Sequence, residues 1–387
     1  MRNESCDIFC NVVDNYGDIG VCWRLARQLA NEHGLAVRLW VDDLASFRRL
    51  YPEADVALER QFCRGVEVRR WPAAFPAVEP ADLVIEAFAC KLPPGYMAAM
   101  AARERKPVWL NLEYLSAEDW VEGCHKLPSP HPSLPLTKYF FFPGFTERTG
   151  GLLLERDLLA RRDAFQSNDG AQQRYWHSLG VPELQAGELR VSLFGYENPA
   201  MEALLQAWEL SDQPVTCLLP EGRSLPQVAV FFGHPAGKTG DIWQRGNLRV
   251  HVLPFVEQER YDELLWACDI NFVRGEDSCV RAQWAAKPFI WQIYPQHDGV
   301  HLEKLQAFMN LYCSGLSQQA SQALQALWLG WNRGDSARLA ASTDSGQAWP
   351  VFLSCREEVQ ARARDWAQRL AGNNLALNLL DFFHQVA

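Results

Sequence analysis

The sequence has no surplus of positive charge, because 37 Lys and Arg residues stand against 47 Asp and Glu residues, for a formal net charge of -10. Proteins that bind nucleic acid use a basic surface to neutralise phosphates, so this balance argues against a nucleic-acid partner. No apolar run reaches the roughly 18 residues of a transmembrane helix. The N-terminal segment is too polar for a signal peptide, and we therefore expect a cytoplasmic protein without a membrane partner.

The eleven cysteines are scattered, odd in number and contain no C-x-x-C pair, which argues against a disulfide framework and a zinc ribbon. Cys6 and Cys10 are predicted to pack as small apolar side chains. His297 and His301 are four residues apart, but no Glu lies between them and no third ligand is evident, so a structural role is favoured. The sequence thus predicts no metal site.

The length of 387 residues predicts two domains, at roughly 100 to 200 residues for each. Short apolar runs alternate with helical patterns in both halves, which is typical of parallel βα units. The first run, at residues 8–13, leads through the loop DNYGDIG into a helix with Cys22, Leu25 and Leu29 on one face. We predict Rossmann-like domains at 1–155 and 181–370, a connector at 156–180, and a C-terminal helix at 371–387 that packs back toward the domain junction.

The loop DNYGDIG presents Asp14 and Asp18 at the head of a helix, where tight turns at Gly17 and Gly20 can expose a carboxylate. A purely structural alternative is that Asp18 caps the helix. The loop lacks the small residues that a Rossmann fingerprint needs near the pyrophosphate, so NAD is not favoured. The segment GHPAGKT has one residue too few for a P-loop, which argues against ATP hydrolysis.

The segment FVRGEDS places Arg274 at a strand end and Ser278 at a helix start, a combination that suits an anion such as a diphosphate. Glu276 and Asp277 would then point to sugar hydroxyls or to a cationic acceptor. The alternative is a surface ion pair between Arg274 and Glu276. Three aromatic residues at strand ends could stack on a base, although each could equally belong to the core: Phe194, Tyr196 and Phe255.

Three stretches, DNYGDIGVCWRLARQLA, SLFGYEN and LLWACDINFVRGEDSCVRAQWAAKPFIWQIYPQ, resemble the EarP family of bacterial protein-arginine rhamnosyltransferases that modify elongation factor P. The resemblance extends over nearly the whole chain. It implies an α/β GT-B glycosyltransferase fold, with two Rossmann-like domains facing a central cleft. It also implies dTDP-β-L-rhamnose as the donor, elongation factor P as the protein substrate, and inverting transfer to an arginine nitrogen without metal or cofactor.

By the same resemblance, Asp18 matches the catalytic aspartate and Asp14 its companion, and we group Glu276 with them. How these three carboxylates divide the base and orienting roles stays open. The donor positions implied or assigned with them are Asn15, Tyr16, Gly17, Phe194, Tyr196, Phe255, Gln258, Arg274, Asp277 and Ser278. Two other functions remain compatible with the residues alone: a non-catalytic acidic protein that binds a cationic loop, and a sugar-nucleotide enzyme with a small-molecule acceptor.

Overall fold

The protein is described here by a computed structural model that covers residues 4–13, 16–182, 185, 187–296, 299–333 and 348–387. The chain divides into two compact units. The first combines Met1–Arg156 with Leu370–Ala387, and the second is Asp157–Arg369. The segment expected as a connector forms two helices of the second unit, and the C-terminal helix belongs to the first.

The first unit is built on a mainly parallel sheet in the order β3-β4-β2-β1-β5-β6-β8-β7. Among the strands of the described residues in this sheet, only the two outer ones, β3 and β7, pair antiparallel with their neighbours. The strands are β1 (Ser5–Cys10), β2 (Ala36–Val41), β3 (Arg60–Cys63), β4 (Val66–Arg70), β5 (Leu83–Ala87), β6 (Val108–Leu112), β7 (Pro128–Pro130) and β8 (Thr137–Phe141). The helices are α1 (Gly17–Asn31), α2 (Leu44–Leu50), α3 (Pro94–Ala102), α4 (Trp120–Cys124) and the C-terminal helix (Leu375–Val386).

The second unit repeats this plan on a sheet in the order β11-β12-β10-β9-β13-β14, with β11 antiparallel at one edge. Its strands are β9 (Leu189–Leu193), β10 (Val215–Pro220), β11 (Ile242–Arg245), β12 (Leu248–Leu253), β13 (Ile270–Arg274) and β14 (Phe289–Gln292). Its helices are α5 (Leu158–Gln166), α6 (Asp169–Ser178), α7 (Met201–Glu209), α8 (Leu225–Phe231), α9 (Gln258–Ala267), α10 (Asp277–Trp284), α11 (Val300–Cys313), α12 (Gln318–Arg333), Ala348–Ser354 and Arg356–Leu370.

The helix α1 follows the predicted apolar spacing, since Cys22, Leu25 and Leu29 are fully buried. Its opposite face is covered as well. Gln28 donates from Nε2 to the carbonyl of Leu154 at 2.7 Å, and Arg24 pairs with Glu155 at 3.3 Å. These polar partners compensate part of the cost of burying Gln28 and Arg24, and they fix this face of α1 as well.

The prediction for the first strand was wrong at its end, because β1 stops at Cys10 rather than at residue 13. Cys10 pairs with Val41, the last residue of β2. Immediately beyond it, Asp42 accepts hydrogen bonds from the Asn11 side chain and from the backbone N–H of Val12, the latter at 2.9 Å. Hydrogen bonds to this carboxylate thus take the place of backbone pairing between β1 and β2, and the chain leaves the sheet toward α1.

Candidate active site

The strand order of each sheet reverses once, and the predicted site residues follow the strands at these reversals. In the first sheet the chain builds outward from β1 through β2 to β4, and then resumes on the other side of β1 with β5. In the second sheet the same reversal lies between β9 and β13. Open α/β sheets bind ligands outside the carboxyl ends of the strands at such points. Two candidate regions result, one in each unit.

In the first unit, Asp18 lies in the first turn of α1 and is 3% exposed. Its Oδ2 accepts a hydrogen bond from the backbone N–H of Val13 at 2.8 Å. Asp18 is not the N-cap of the helix, because that position is occupied by Tyr16. The alternative of simple helix capping therefore does not describe the contact, which instead fixes the carboxylate against the loop that follows β1.

Cys10 and Cys22 lie beside Asp18, and both thiols are fully buried. A hydrogen bond with Cys22, together with burial, raises the pKa of Cys10 well above its usual value. Burial likewise raises the pKa of Cys22, and the Asp18 carboxylate adds to both shifts. The raised pKa values favour the neutral thiols, which add no negative charge beside Asp18. All eleven cysteines are free.

The remaining predicted residues of this loop are Asp14, Asn15, Tyr16 and Gly17. Tyr16 and Gly17 lie at the start of α1, where both are half-buried. Asp14 and Asn15 fall outside the described residues, so their predicted roles stay predictions. The sequence did not single out Asp42, which holds the other end of this loop. An Asp directly after a strand is a signal for a loop ligand that could have identified it.

In the second unit, Arg274 ends β13 and is 6% exposed. Its guanidinium lies 4.5 Å from the ring centroid of Phe194 and 4.6 Å from that of Tyr196. A guanidinium attracts the negative face of an aromatic ring, so the three side chains stabilise one another. Tyr196 is buried, whereas Phe194 and Phe255 are half-buried. The structure thus brings Arg274, Phe194 and Tyr196 together at the switch point of the second sheet.

The helix α10 begins directly after β13 and carries three further predicted residues. Glu276 is its N-cap residue, and Asp277 accepts a hydrogen bond from Gln258 Nε2 at 3.1 Å. The Ser278 hydroxyl bonds to the backbone of Arg274, where the N–H donates to it at 3.0 Å. The hydroxyl of Ser278 therefore stabilises the strand–helix turn, and a role in anion binding would depend on the backbone N–H groups of the helix.

The loop after β9 is held by residues that the sequence did not reveal. Gln292, at the end of β14, accepts the backbone N–H of Tyr196 at 2.9 Å through Oε1. Ser224 donates to the carbonyl of Gly195 at 3.0 Å. A Cβ at Gly195 would lie 3.0 Å from Gln292 Oε1 and 3.2 Å from Ser224 Oγ, so a larger residue there would have to displace these side chains by a few tenths of an ångström. A polar residue in the apolar strand FIWQ was the available signal for Gln292.

The described residues contain no group of three His, Cys, Asp or Glu side chains that could hold a metal ion. His301 accepts the backbone N–H of Gln296 at 3.1 Å through Nδ1, in keeping with a structural role, and His297 lies outside the described residues. No described helix has both the length and the apolar composition needed to cross a bilayer.

The turn after β5 is strained, and it lies at the switch point of the first sheet. Phe88 and Ala89 have φ angles of 56° and 54°, in the left-handed region that side chains other than glycine rarely adopt. The turn is held by N–H bonds from Phe88 to the Leu112 carbonyl at 2.7 Å and from Ala89 to Asn111 Oδ1 at 3.2 Å. Such strain persists where surrounding contacts over-determine it, and it clusters at functional sites.

We expect Ala89→Gly to raise the free energy of unfolding by about 1 kcal/mol, because glycine adopts this φ without the Cβ clash that Ala89 bears. Urea unfolding of the variant and the wild type measures the change. Ala57→Gly provides a control at an exposed position whose φ is not positive, and there we expect a loss of stability. An unchanged or lower stability for Ala89→Gly would show that the turn stores no strain.

The chain is similar to known proteins over nearly its whole length. A solved structure described as the structural basis for EarP-mediated arginine glycosylation of translation elongation factor EF-P is similar over 99% of this chain and 100% of its own. Its TM-score is 0.70 and its sequence identity 38%. Two proteins named protein-arginine rhamnosyltransferase are similar as well. The one from Pseudomonas putida is 54% identical over 97% of this chain and 98% of its own, and the one from Pseudomonas aeruginosa is 50% identical over 98% of each.

The fold and these similarities place the chain among the GT-B glycosyltransferases, as the sequence predicted. The family model described as elongation factor P (EF-P) rhamnosyltransferase EarP matches residues 6–384. The chain belongs to the EarP family. It is accordingly an enzyme, and the alternative of a non-catalytic binding protein is excluded.

Proposed function

We propose that the enzyme transfers L-rhamnose from dTDP-β-L-rhamnose to an arginine side chain of elongation factor P, with inversion at the anomeric carbon and without a metal ion. The observation that carries this proposal is the pair of switch-point sites in a chain of the EarP family. One site presents a buried carboxylate, Asp18, and the other presents Arg274 with two aromatic rings. The names of the relatives, which mention arginine, rhamnose and EF-P, support the choice of substrates.

The acceptor chemistry requires a carboxylate. A guanidinium stays protonated at neutral pH and its lone pairs are delocalised, so arginine is a poor nucleophile. In the proposed reaction Asp18 orients the guanidinium and takes one of its protons as the new N–C bond forms. Burial and the hydrogen bond from Val13 hold the carboxylate in one position for this step. Asp14 and Glu276 remain the candidates for additional negative potential.

The donor chemistry requires stabilisation of the leaving group. Cleavage of the bond between the anomeric carbon and the phosphate oxygen leaves negative charge on dTDP. The cation of Arg274 and the N-terminal N–H groups of α10 can stabilise this charge. Phe194 and Phe255, both half-buried, provide apolar surface for the thymine base, and Asp277 and Gln258 provide polar groups for sugar hydroxyls. The proposal thus assigns the acceptor chemistry to a residue of the first unit and the donor chemistry to residues of the second.

The proposal is tested by the release of dTDP from dTDP-rhamnose with three acceptors: elongation factor P, the same protein with lysine in place of the acceptor arginine, and free arginine. We expect release only with the first, because a compact ammonium cannot reproduce a planar guanidinium held against Asp18. Equal release with free arginine would favour the alternative of a small-molecule acceptor. Absence of release with every acceptor would contradict the assigned donor.

We expect Arg274→Ala to weaken dTDP binding by roughly tenfold or more, since a hydrogen bond to a charged group contributes about 1.5–3 kcal/mol. Titration calorimetry measures the dissociation constant. Arg245→Ala is the matched control, because Arg245 also lies over an aromatic ring, 4.8 Å from the Phe231 centroid, but on the edge strand β11. Wild-type affinity in the Arg274 variant would place the diphosphate elsewhere.

We also expect rhamnosyl transfer to proceed unchanged in EDTA. Arg274 and backbone N–H groups can neutralise the diphosphate, and the described residues provide no cluster of three side chains for a hard cation. The measurement is the transfer rate before and after chelation, with added Mg²⁺ as the complementary arm. Loss of transfer in EDTA and its recovery with Mg²⁺ would assign Asp14 and Asp18 to a metal.

A further inference from the structure

Two aromatic rings stand together at the carboxyl edge of the first sheet, in a place to which no function has been assigned above. Phe88 is the first residue after β5, and Tyr114 is the second residue after β6. Because Ala87 pairs with Leu112 at the ends of the two strands, both side chains follow neighbouring strands at the carboxyl edge of the sheet. The rings are stacked, with centroids 4.6 Å apart and planes at 20°, and both residues are half-buried.

The turn that carries Phe88 lies beside the segment that carries Asp18. The Cys90 thiol donates to the carbonyl of Phe9 in β1 at 3.2 Å, which brings the turn over the end of that strand. Cys90 also interacts electrostatically with Cys22, which lies one helical turn beyond Asp18 in α1. The stacked pair and the Asp18 carboxylate therefore belong to the same switch point, between β1 and β5.

A further carboxylate, that of Glu113, is fixed next to the pair. Glu113, between β6 and Tyr114, is half-buried and accepts a hydrogen bond from the side-chain amide of Asn111. Through its other side-chain atom, Asn111 accepts the N–H of the strained residue Ala89 at 3.2 Å. One buried amide thus connects Glu113 to the turn of Phe88, so the position of the carboxylate and that of the rings depend on each other.

The sequence places a large aromatic side chain where the backbone favours glycine. Phe88 adopts a φ of 56°, which is costly for a bulky residue. A turn that served only to connect β5 to α3 would be more stable with glycine or asparagine at this position. An aromatic ring set in a strained turn that two long-range hydrogen bonds hold in place indicates a role for the ring itself.

We propose that Phe88, Tyr114 and Glu113 form the platform that receives the acceptor guanidinium and selects arginine over lysine. This inference depends on the proposed arginine acceptor. A guanidinium is planar and weakly hydrated, so it can stack on an aromatic face while its N–H groups bond in the plane to carboxylates. A guanidinium stacked on the pair keeps its edge available for carboxylates, and Glu113 and Asp18 are the carboxylates that belong to this switch point. The ammonium of lysine has no plane to stack and gains less from the platform.

The test compares steady-state transfer to elongation factor P by Phe88→Leu, Tyr114→Leu and the wild type. Leucine keeps apolar volume but removes the aromatic face. We expect each leucine variant to raise the KM for elongation factor P roughly tenfold, in line with a desolvated cation–π contact. The KM for dTDP-rhamnose should stay unchanged. Phe88→Tyr and Tyr114→Phe retain the faces and should preserve the wild-type KM for the protein substrate.

The control is Phe232→Leu, which removes the ring of a half-buried phenylalanine stacked on Trp243 in the second unit, with centroids 5.7 Å apart. It should leave both KM values unchanged. Wild-type KM for elongation factor P in Phe88→Leu and Tyr114→Leu, or an equal rise for both substrates, would overturn the platform. A wild-type enzyme that does not modify elongation factor P would instead refute the proposed function. If Phe88→Leu fails to fold, Tyr114→Leu and Glu113→Gln provide the test. Each should raise the KM for elongation factor P and leave the KM for dTDP-rhamnose unchanged.

Discussion

Asp18→Asn is expected to lower the rate of rhamnosyl transfer by about 10²–10⁴-fold while the affinity for dTDP-rhamnose stays near that of the wild type. The asparagine side chain keeps the size of aspartate, and its carbonyl oxygen can still accept the Val13 N–H at the position of Oδ2. Only the negative charge and the capacity to take a proton are lost. Single-turnover transfer and calorimetric donor binding, measured on the same preparation, separate the two effects.

Glu32→Gln is the matched control for this variant, since Glu32 is a carboxylate at the opposite end of α1 and bonds to the backbone N–H of Arg156 at 3.0 Å. Its rate should remain within a few-fold of the wild type. Near-normal transfer by Asp18→Asn would remove Asp18 as the base and shift the role to Asp14 or Glu276. A parallel loss in Glu32→Gln would indicate instead that the charge of the whole helix matters.

Asp262→Asn is expected to lower the free energy of unfolding of the second unit by about 3–5 kcal/mol. Asp262 in α9 and Arg281 in α10 form a buried pair with two hydrogen bonds, at 2.9 and 2.7 Å. Both residues are almost fully buried, so the variant leaves the Arg281 cation in the core without its counter-charge. Chemical denaturation monitored by tryptophan fluorescence measures the loss.

This pair also bears on function, because α9 carries Gln258 and α10 carries Asp277, which are joined by a hydrogen bond of 3.1 Å. We therefore expect weaker donor binding by Asp262→Asn even where the protein remains folded. Glu209→Gln is the control, since it removes the partly exposed ion pair with Arg245 and should change stability by at most about 1 kcal/mol. A similarly small loss in Asp262→Asn would show that Arg281 finds other compensation.

The sequence predicted two parallel α/β units and the position of the candidate residues directly after strands, because both depend on strong local signals. Long apolar runs are typical of buried parallel strands, and residues that follow such strands collect at one edge of the sheet. The edge strands β3 and β11 were missed because they are short and largely exposed, so their apolar pattern is weak. The end of β1 was misplaced because a hydrogen bond from the Val12 N–H to the distant Asp42 carboxylate decides it.

The features of the site that the sequence did not predict depend on contacts between residues far apart in the chain. Tyr196 and Gln292 are 96 residues apart, and no local pattern relates them. Arg274 was predicted as a phosphate ligand, but its cation–π contacts with Phe194 and Tyr196 depend on the pairing of β9 with β13. The turn at Phe88 was not predicted, since neither Phe nor Ala favours a positive φ. Here tertiary hydrogen bonds override the local preference.

Tandem mass spectrometry of elongation factor P, after incubation with the wild-type enzyme and dTDP-rhamnose in the presence of EDTA, tests the central claim most directly. The account predicts a single deoxyhexosyl group on one arginine side chain, and none when Asp18→Asn replaces the wild type. A sugar on any other type of residue, or equal modification by Asp18→Asn, would contradict it.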